Sequence, residues 1–207
     1  MAIADFGSLQ TALALWLNRS DLTSNLPDFI SFAASRIYYG SDDEVLPSPP
    51  VRTWSMQAVD SPTITSGTFS LPTRYLATIM VMSDQGAGGT PLRYISPTQW
   101  AQYKIADNQA GSYTILNNTG YLSGSGAQTI THHYYQSFAV FSADADTNAL
   151  LTAAPNLWLY GALLEAYVFV EADEQTKKYH RLFRGMATAL NRVAKEHGGG
   201  TLAVRAG

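Results

Sequence analysis

Pro155-Asn156-Leu157-Trp158-Leu159-Tyr160-Gly161-Ala162-Leu163-Leu164-Glu165-Ala166, running on to Phe169, is apolar on almost every side. At about 100° per residue, Leu157, Tyr160, Leu164 and Val168 fall on one flank, and Trp158, Ala162, Ala166 and Phe169 on the other. A helix apolar all round belongs inside something. With Glu165 within it, the run falls short of the roughly 20 apolar residues of a membrane span. The expectation is a central helix against which the two ends of the chain pack.

C-terminal to this run, a last helix is expected from about residue 173 to 197. Tyr179, Leu182, Phe183, Met186, Leu190 and Val193 lie on one arc, and Lys177, Arg181, Arg184, Arg192 and Lys195 on the opposite one. This basic stripe is either the wet face of an amphipathic helix or a docking face for an acidic partner or for nucleic acid. Sequence-specific DNA reading does not fit, because no helix-turn-helix or zinc module accompanies it. Gly198, Gly199 and Gly200 end the helix. Residues 198–207 are expected to be a flexible C-terminal arm.

At the other end, Asp5 is a good N-cap for a helix whose Phe6, Leu9, Leu13, Trp16 and Leu17 form one stripe. A second helix begins near Asn25, with Pro27 in its first turn and Gly40 at its stop. Between the helical ends the period falls to two. Strands are expected at residues 51–56, 63–71, 75–82, 92–95, 113–116, 121–122 and 129–135, with residues 75–82 fully buried. Ser96 and Pro97 open a short helix anchored by Trp100 and Tyr103. Helical periodicity returns at about Asp146. The fold class is therefore α+β. Residues 1–40 and 146–197 form a helical bundle, and residues 41–145 an inserted antiparallel β region packed beside it.

The chain has 207 residues, enough to bury a sizeable core. Only 14% are charged, where about a quarter is usual. Such a surface is either covered by other subunits or belongs to a Tyr/Ser/Thr-rich β region. The absence of cysteine excludes disulfides, thiolate metal sites and cysteine nucleophiles. The first residues carry no basic, apolar leader, so a soluble protein made in the cytoplasm is expected. Charge is uneven. Residues 177–207 hold seven Lys/Arg and one acid, net +6, while residues 1–176 hold six bases and fifteen acids, net −9. The two ends should meet different partners.

No catalytic constellation emerges. The serines of Leu122-Ser123-Gly124-Ser125-Gly126 lack the flanking glycines of a nucleophile elbow. Gly86-Ala87-Gly88-Gly89 lacks both the third glycine and the Lys of the phosphate loops. Asp144-Ala145-Asp146-Thr147-Asn148 opens like a calcium loop, but Ala149 stands where Gly is required and Pro155 where the bidentate Glu belongs. Helix-capping acids explain it. His132 and His133, adjacent on a strand, point to opposite faces and have no carboxylate beside them in sequence. His180 and His197 are lone histidines on the basic helix. No metal and no cofactor is expected.

Taken together, Trp16-Leu17-Asn18-Arg19-Ser20-Asp21-Leu22, Pro27-Asp28-Phe29-Ile30, Leu71-Pro72-Thr73-Arg74-Tyr75-Leu76, Tyr94-Ile95-Ser96-Pro97, Tyr134-Tyr135 and the Pro155 run resemble a head-to-tail adaptor (connector) protein of tailed bacteriophages over nearly the whole chain. Arg74 departs from that pattern, in which many relatives are expected to have an acidic residue before the Tyr. The resemblance implies a structural virion protein of the neck: a ring, commonly a dodecamer, beneath the portal protein and above a tail or nozzle protein. DNA would pass through its lumen unread, without the many phosphate contacts that would stall ejection. It also implies that the C-terminal segment, with Thr201, Leu202, Ala203, Val204 and Arg205, reaches the portal. Trp158 or Tyr160 is expected to meet a neighbouring subunit. Two other readings stand beside it. One is a Tyr/Trp-rich β region that binds carbohydrate, or a protein-binding module of a phage tail. The other is an enzyme whose site forms only between subunits.

Overall fold

The computed structural model describes residues 2–84, 89–103, 111–123 and 129–198, with the backbone alone at 103, 197 and 198. Six α-helices and eight strands are described, in the order α1 (Phe6–Leu17), α2 (Leu26–Tyr39), β1 (Gln57–Asp60), β2 (Thr68–Ser70), β3 (Tyr75–Ser83), β4 (Thr90–Pro91), β5 (Arg93–Tyr94), α3 (Pro97–Tyr103), β6 (Ser112–Leu116), β7 (Thr119–Leu122), β8 (Ile130–Gln136), α4 (Ala149–Ala153), α5 (Pro155–Phe169) and α6 (Asp173–Gly198). The class is α+β. The chain divides into two compact units: Met1–Met56 with Phe138–Gly207, and Gln57–Ser137.

In the helical unit, α5 is the centre. Leu157, Trp158, Leu159, Gly161, Ala162, Leu163, Leu164 and Ala166 are all buried, and α1, α2 and α6 pack on it. Gly161 stands where α2 and α6 both crowd α5. A Cβ there would lie 3.0 Å from the Ala33 Cβ of α2 and 3.2 Å from the Phe183 ring of α6. The glycine therefore serves packing, at the helix-propensity cost of about 1 kcal/mol. Trp158, 1% exposed, is boxed by Phe141 at 5.1 Å and Tyr38 at 6.5 Å.

The ends of α1 and α2 follow from local chemistry. Asp5 Oδ1 accepts from Ser8 N at 2.8 Å, and Ser8 Oγ accepts from Asp5 N at 3.0 Å, a reciprocal cap. These bonds hold the Asp5 carboxyl below its ordinary range. The Phe6 and Gly7 amides donate to the carbonyls of Asp146 and Asp144. Asp146 Oδ2 itself accepts from the amides of Ser142 and Ala143 at 2.6 and 2.9 Å. The acidic run thus caps a turn and completes α1, while Asn148 caps α4 through Leu151 N. Gly40 closes α2 with φ 75°, where a Cβ would lie 2.6 Å from the Ser48 carbonyl.

Residues 41–56 and 138–145 belong to this unit. Ser41 and Ser48 bridge each other, Arg52 N donates to Asn191 Oδ1 at 2.7 Å, and the Phe6 and Phe141 rings stack at 5.2 Å. The strand expected at 51–56 is replaced by a 3-10 turn, Trp54–Met56. The Val51 and Arg52 amides are satisfied by the Ile37 carbonyl and the Asn191 side chain rather than by a neighbouring strand. A 3-10 helix over Ser20–Asn25, unmarked by any period in the sequence, joins α1 to α2.

The second unit holds two four-stranded sheets, β1-β8-β3-β4 and β2-β7-β6-β5. Every pair is antiparallel except β5 with β6. Phe69, Leu71, Val81, Tyr113, Leu122 and Ile130, drawn from both sheets, form one core. Burial pushes the Tyr113 hydroxyl up to about 12. The Phe69 ring lies against Gly120, where any Cβ would collide with it. β3 is only partly buried, with Val81 inside and Ile79 42% exposed. Its apolar run suggested two covered faces. Register shifts at Tyr75/Ala77 and Thr78/Met80 instead reset the alternation within one strand.

Candidate interaction surfaces

The five cations of the stripe are where the helical period put them. Lys177, Arg181, Arg184, Arg192 and Lys195 are all exposed on α6, spread over about 27 Å of helix. Arg192 Nε lies 3.8 Å from Glu196 Oε1, with both side chains largely in water, where such a pair adds little. Among the described residues, no carboxylate lies within ion-pair distance of the other four. His180 is turned inward instead. Its Nε2 donates to the Pro47 carbonyl at 2.9 Å, fastening the loop after α2 to α6.

Trp158 and Tyr160 differ in what they leave exposed. Trp158 spends its surface inside its own chain. Tyr160 is half-buried in a row of rings, 6.3 Å from Trp16 and 6.2 Å from Tyr179, with Tyr167 stacked on Tyr179 at 5.2 Å. Trp16 ends that row 47% exposed, beside Leu15 at 67%. Phe32, Tyr39 and Trp54 are also exposed on the helical unit. Of these exposed residues, the helical period marks only Trp16, as a member of the α1 stripe, and periodicity does not tell a stripe's centre from its edge. Thr201, Leu202, Ala203, Val204 and Arg205 lie outside the described residues.

The β unit contains one polar cluster that invites a chemical reading. His132, fully buried, has Nε2 3.0 Å from Thr78 Oγ1 and Nδ1 3.5 Å from Asp60 Oδ1. The carboxylate absent from the sequence around His132 arrives from β1, which pairs Asp60 with His132. Hydroxyl, imidazole and carboxylate thus stand in the order of a hydrolase triad. The rings of Phe69, Tyr75 and Tyr134 enclose the imidazole at 5.0 to 5.9 Å, and Tyr75 Oη bonds Thr78 Oγ1 at 2.9 Å. No substrate atom reaches an imidazole so enclosed. Burial lowers the basicity of His132, and the nearby Asp60 charge opposes that only in part. The cluster fits a buried, uncharged imidazole held by its Thr78 contact and packed among rings, with Asp60 near it but not hydrogen-bonded to Nδ1. His133 faces the other side of the sheet and is half-buried. Among the described residues, no group of three or more His, Asp or Glu is placed to hold a metal ion, and no helix is long and apolar enough to cross a membrane.

The model of the SU10 adaptor protein family matches residues 4–205. The chain belongs to that family. The match agrees with the resemblance to phage head-to-tail adaptors and covers the apolar helix, the basic stripe and the expected arm alike. No curated protein matches the sequence. In this adaptor Arg74 is exposed, and its carbonyl accepts from Ser137 N at 2.9 Å.

Proposed function

We propose that the protein is a structural, non-enzymatic component of the virion neck, joining the portal to the tail as a ring on the order of twelve copies around passing DNA. The observation that carries this reading is the adaptor-family match over residues 4–205. Three surfaces divide the work. Lateral contacts close the ring through the exposed apolar residues of the helical unit, with Tyr160 and its neighbours Trp16 and Leu15 at one contact. Trp158 acts behind them by fixing α5.

The stripe of Lys177, Arg181, Arg184, Arg192 and Lys195 docks on an acidic protein surface. Four cations without a carboxylate partner among the described residues support that reading. Residues Thr201, Leu202, Ala203, Val204 and Arg205 engage the portal. Ordering such an arm costs entropy, and a ring repays it through many simultaneous contacts. The net charge of −9 over residues 1–176 suits a lumen that releases DNA.

Deleting residues 201–207 tests the arm. Particles carrying the deletion should fail to join heads to tails or should leak DNA. Normal joining and retention would refute the arm's role.

A further inference from the structure

We infer that the C-terminal segment of this chain docks in cis, seating Leu202 and Val204 in an apolar groove on its own helical unit. The groove is walled by Trp54, Ala153, Leu190, Val193 and Ala194, with Leu150 at its floor. Trp54 is 68% and Val193 41% exposed, while Leu150 is 1% exposed. Large apolar side chains are thus left facing an open trough.

Three observations select the occupant. First, the groove is built on the last turns of α6, and the chain leaves α6 at Gly198. Val193 lies about 7.5 Å back along the axis. Leu202, four residues past Gly198, has about 13 Å of extended chain to return. Second, Gly198, Gly199 and Gly200 permit reversal in either sense, having no Cβ to restrict φ. Third, beyond the glycines the chain carries one apolar triplet, Leu202-Ala203-Val204, and no acid. The lining is likewise almost free of charge-bearing groups. So short a tether gives an effective concentration on the order of millimolar, well above that of a second copy in dilute solution. The docking needs no portal. Its consequence rests on the proposed function: the residues that meet the portal are held out of water until the portal competes for them.

The chain has no cysteine, so introduced thiols are the only ones. Ala153→Cys is combined with Ala203→Cys in the full-length free protein and equilibrated with glutathione. Lys177→Cys with Ala203→Cys is the distant control, because residue 177 lies about 30 Å back along α6. An intramolecular disulfide is expected for the first pair and not for the second. Adding Leu202→Ser and Val204→Ser should lower its effective concentration about tenfold, as expected for removing two buried aliphatic side chains. An unchanged value would mean that the tether alone brings the thiols together, and would overturn the docking. Disulfides formed only between chains would overturn it in favour of a second copy.

Discussion

Arg36 Nε stands 2.5 Å from Glu165 Oε1, with both side chains 14% exposed, tying α2 to the middle of α5. The same guanidinium donates to the Leu46 carbonyl at 3.3 Å. This pair accounts for the one charged residue in an otherwise apolar helix. Breaking it strands the other charge, so Glu165→Ala should lower unfolding free energy in urea by about 2–3 kcal/mol, below the full cost for a wholly buried pair. Arg36→Met with Glu165→Leu removes both charges and should recover most of that loss. If the double variant is no better than the single, the stranded-charge explanation fails.

Gly161 carries the second prediction. Alanine at this site would gain helix propensity of about 1 kcal/mol, but its methyl would meet Ala33 and Phe183 at 3.0 and 3.2 Å. The larger Gly161→Val should lose about 2 kcal/mol through overpacking. A urea midpoint at or above the parent's would show that the helices can move apart freely.

His132 links stability to pH. Its pKa in the fold lies below the ordinary 6.5 because burial disfavours the charged ring. As pH falls through about 6.5 the unfolded chain takes up the proton first. The contribution is therefore full above that value and is lost progressively below it. Asp60 faces Nδ1 from β1 and favours protonation, while His133 on β8 opposes it. The drop in melting temperature from pH 7.5 to 5.5 should shrink in His132→Gln. An equal drop in both proteins would place the pH response elsewhere.

The stripe gives a prediction in which stability and association separate. Lys177→Glu, Arg181→Glu and Arg184→Glu together alter exposed positions and should change stability by about 0.5 kcal/mol or less per site. Association with the partner should weaken markedly, and its salt dependence should flatten. Binding that is unaffected by the triple reversal would make the stripe merely a solvated face.

How much of this could be read from the sequence follows from how far each determinant reaches along the chain. The Asp5 cap, Pro27, Gly40 and the Pro155–Phe169 run act within a few residues, and their helices lie where periodicity put them. The segment at 51–56 did not become a strand, because its amides found the Ile37 carbonyl and Asn191, the latter 139 positions away from Arg52. Asp60 met His132 through strand pairing, which no local pattern encodes. The stripe's exposure was legible from the helical period. The burial of Trp158 was not, because a helix apolar on all sides does not say which flank its own chain will cover. Glu165 was the available signal for a buried cation on a neighbouring helix.

The most direct test of the central claim is the mass of the protein in solution, alone and after addition of the assembled portal. The account predicts that many copies join the portal together as a closed ring, even if the free protein is a monomer. Failure to join the portal at any ratio of the two would contradict it.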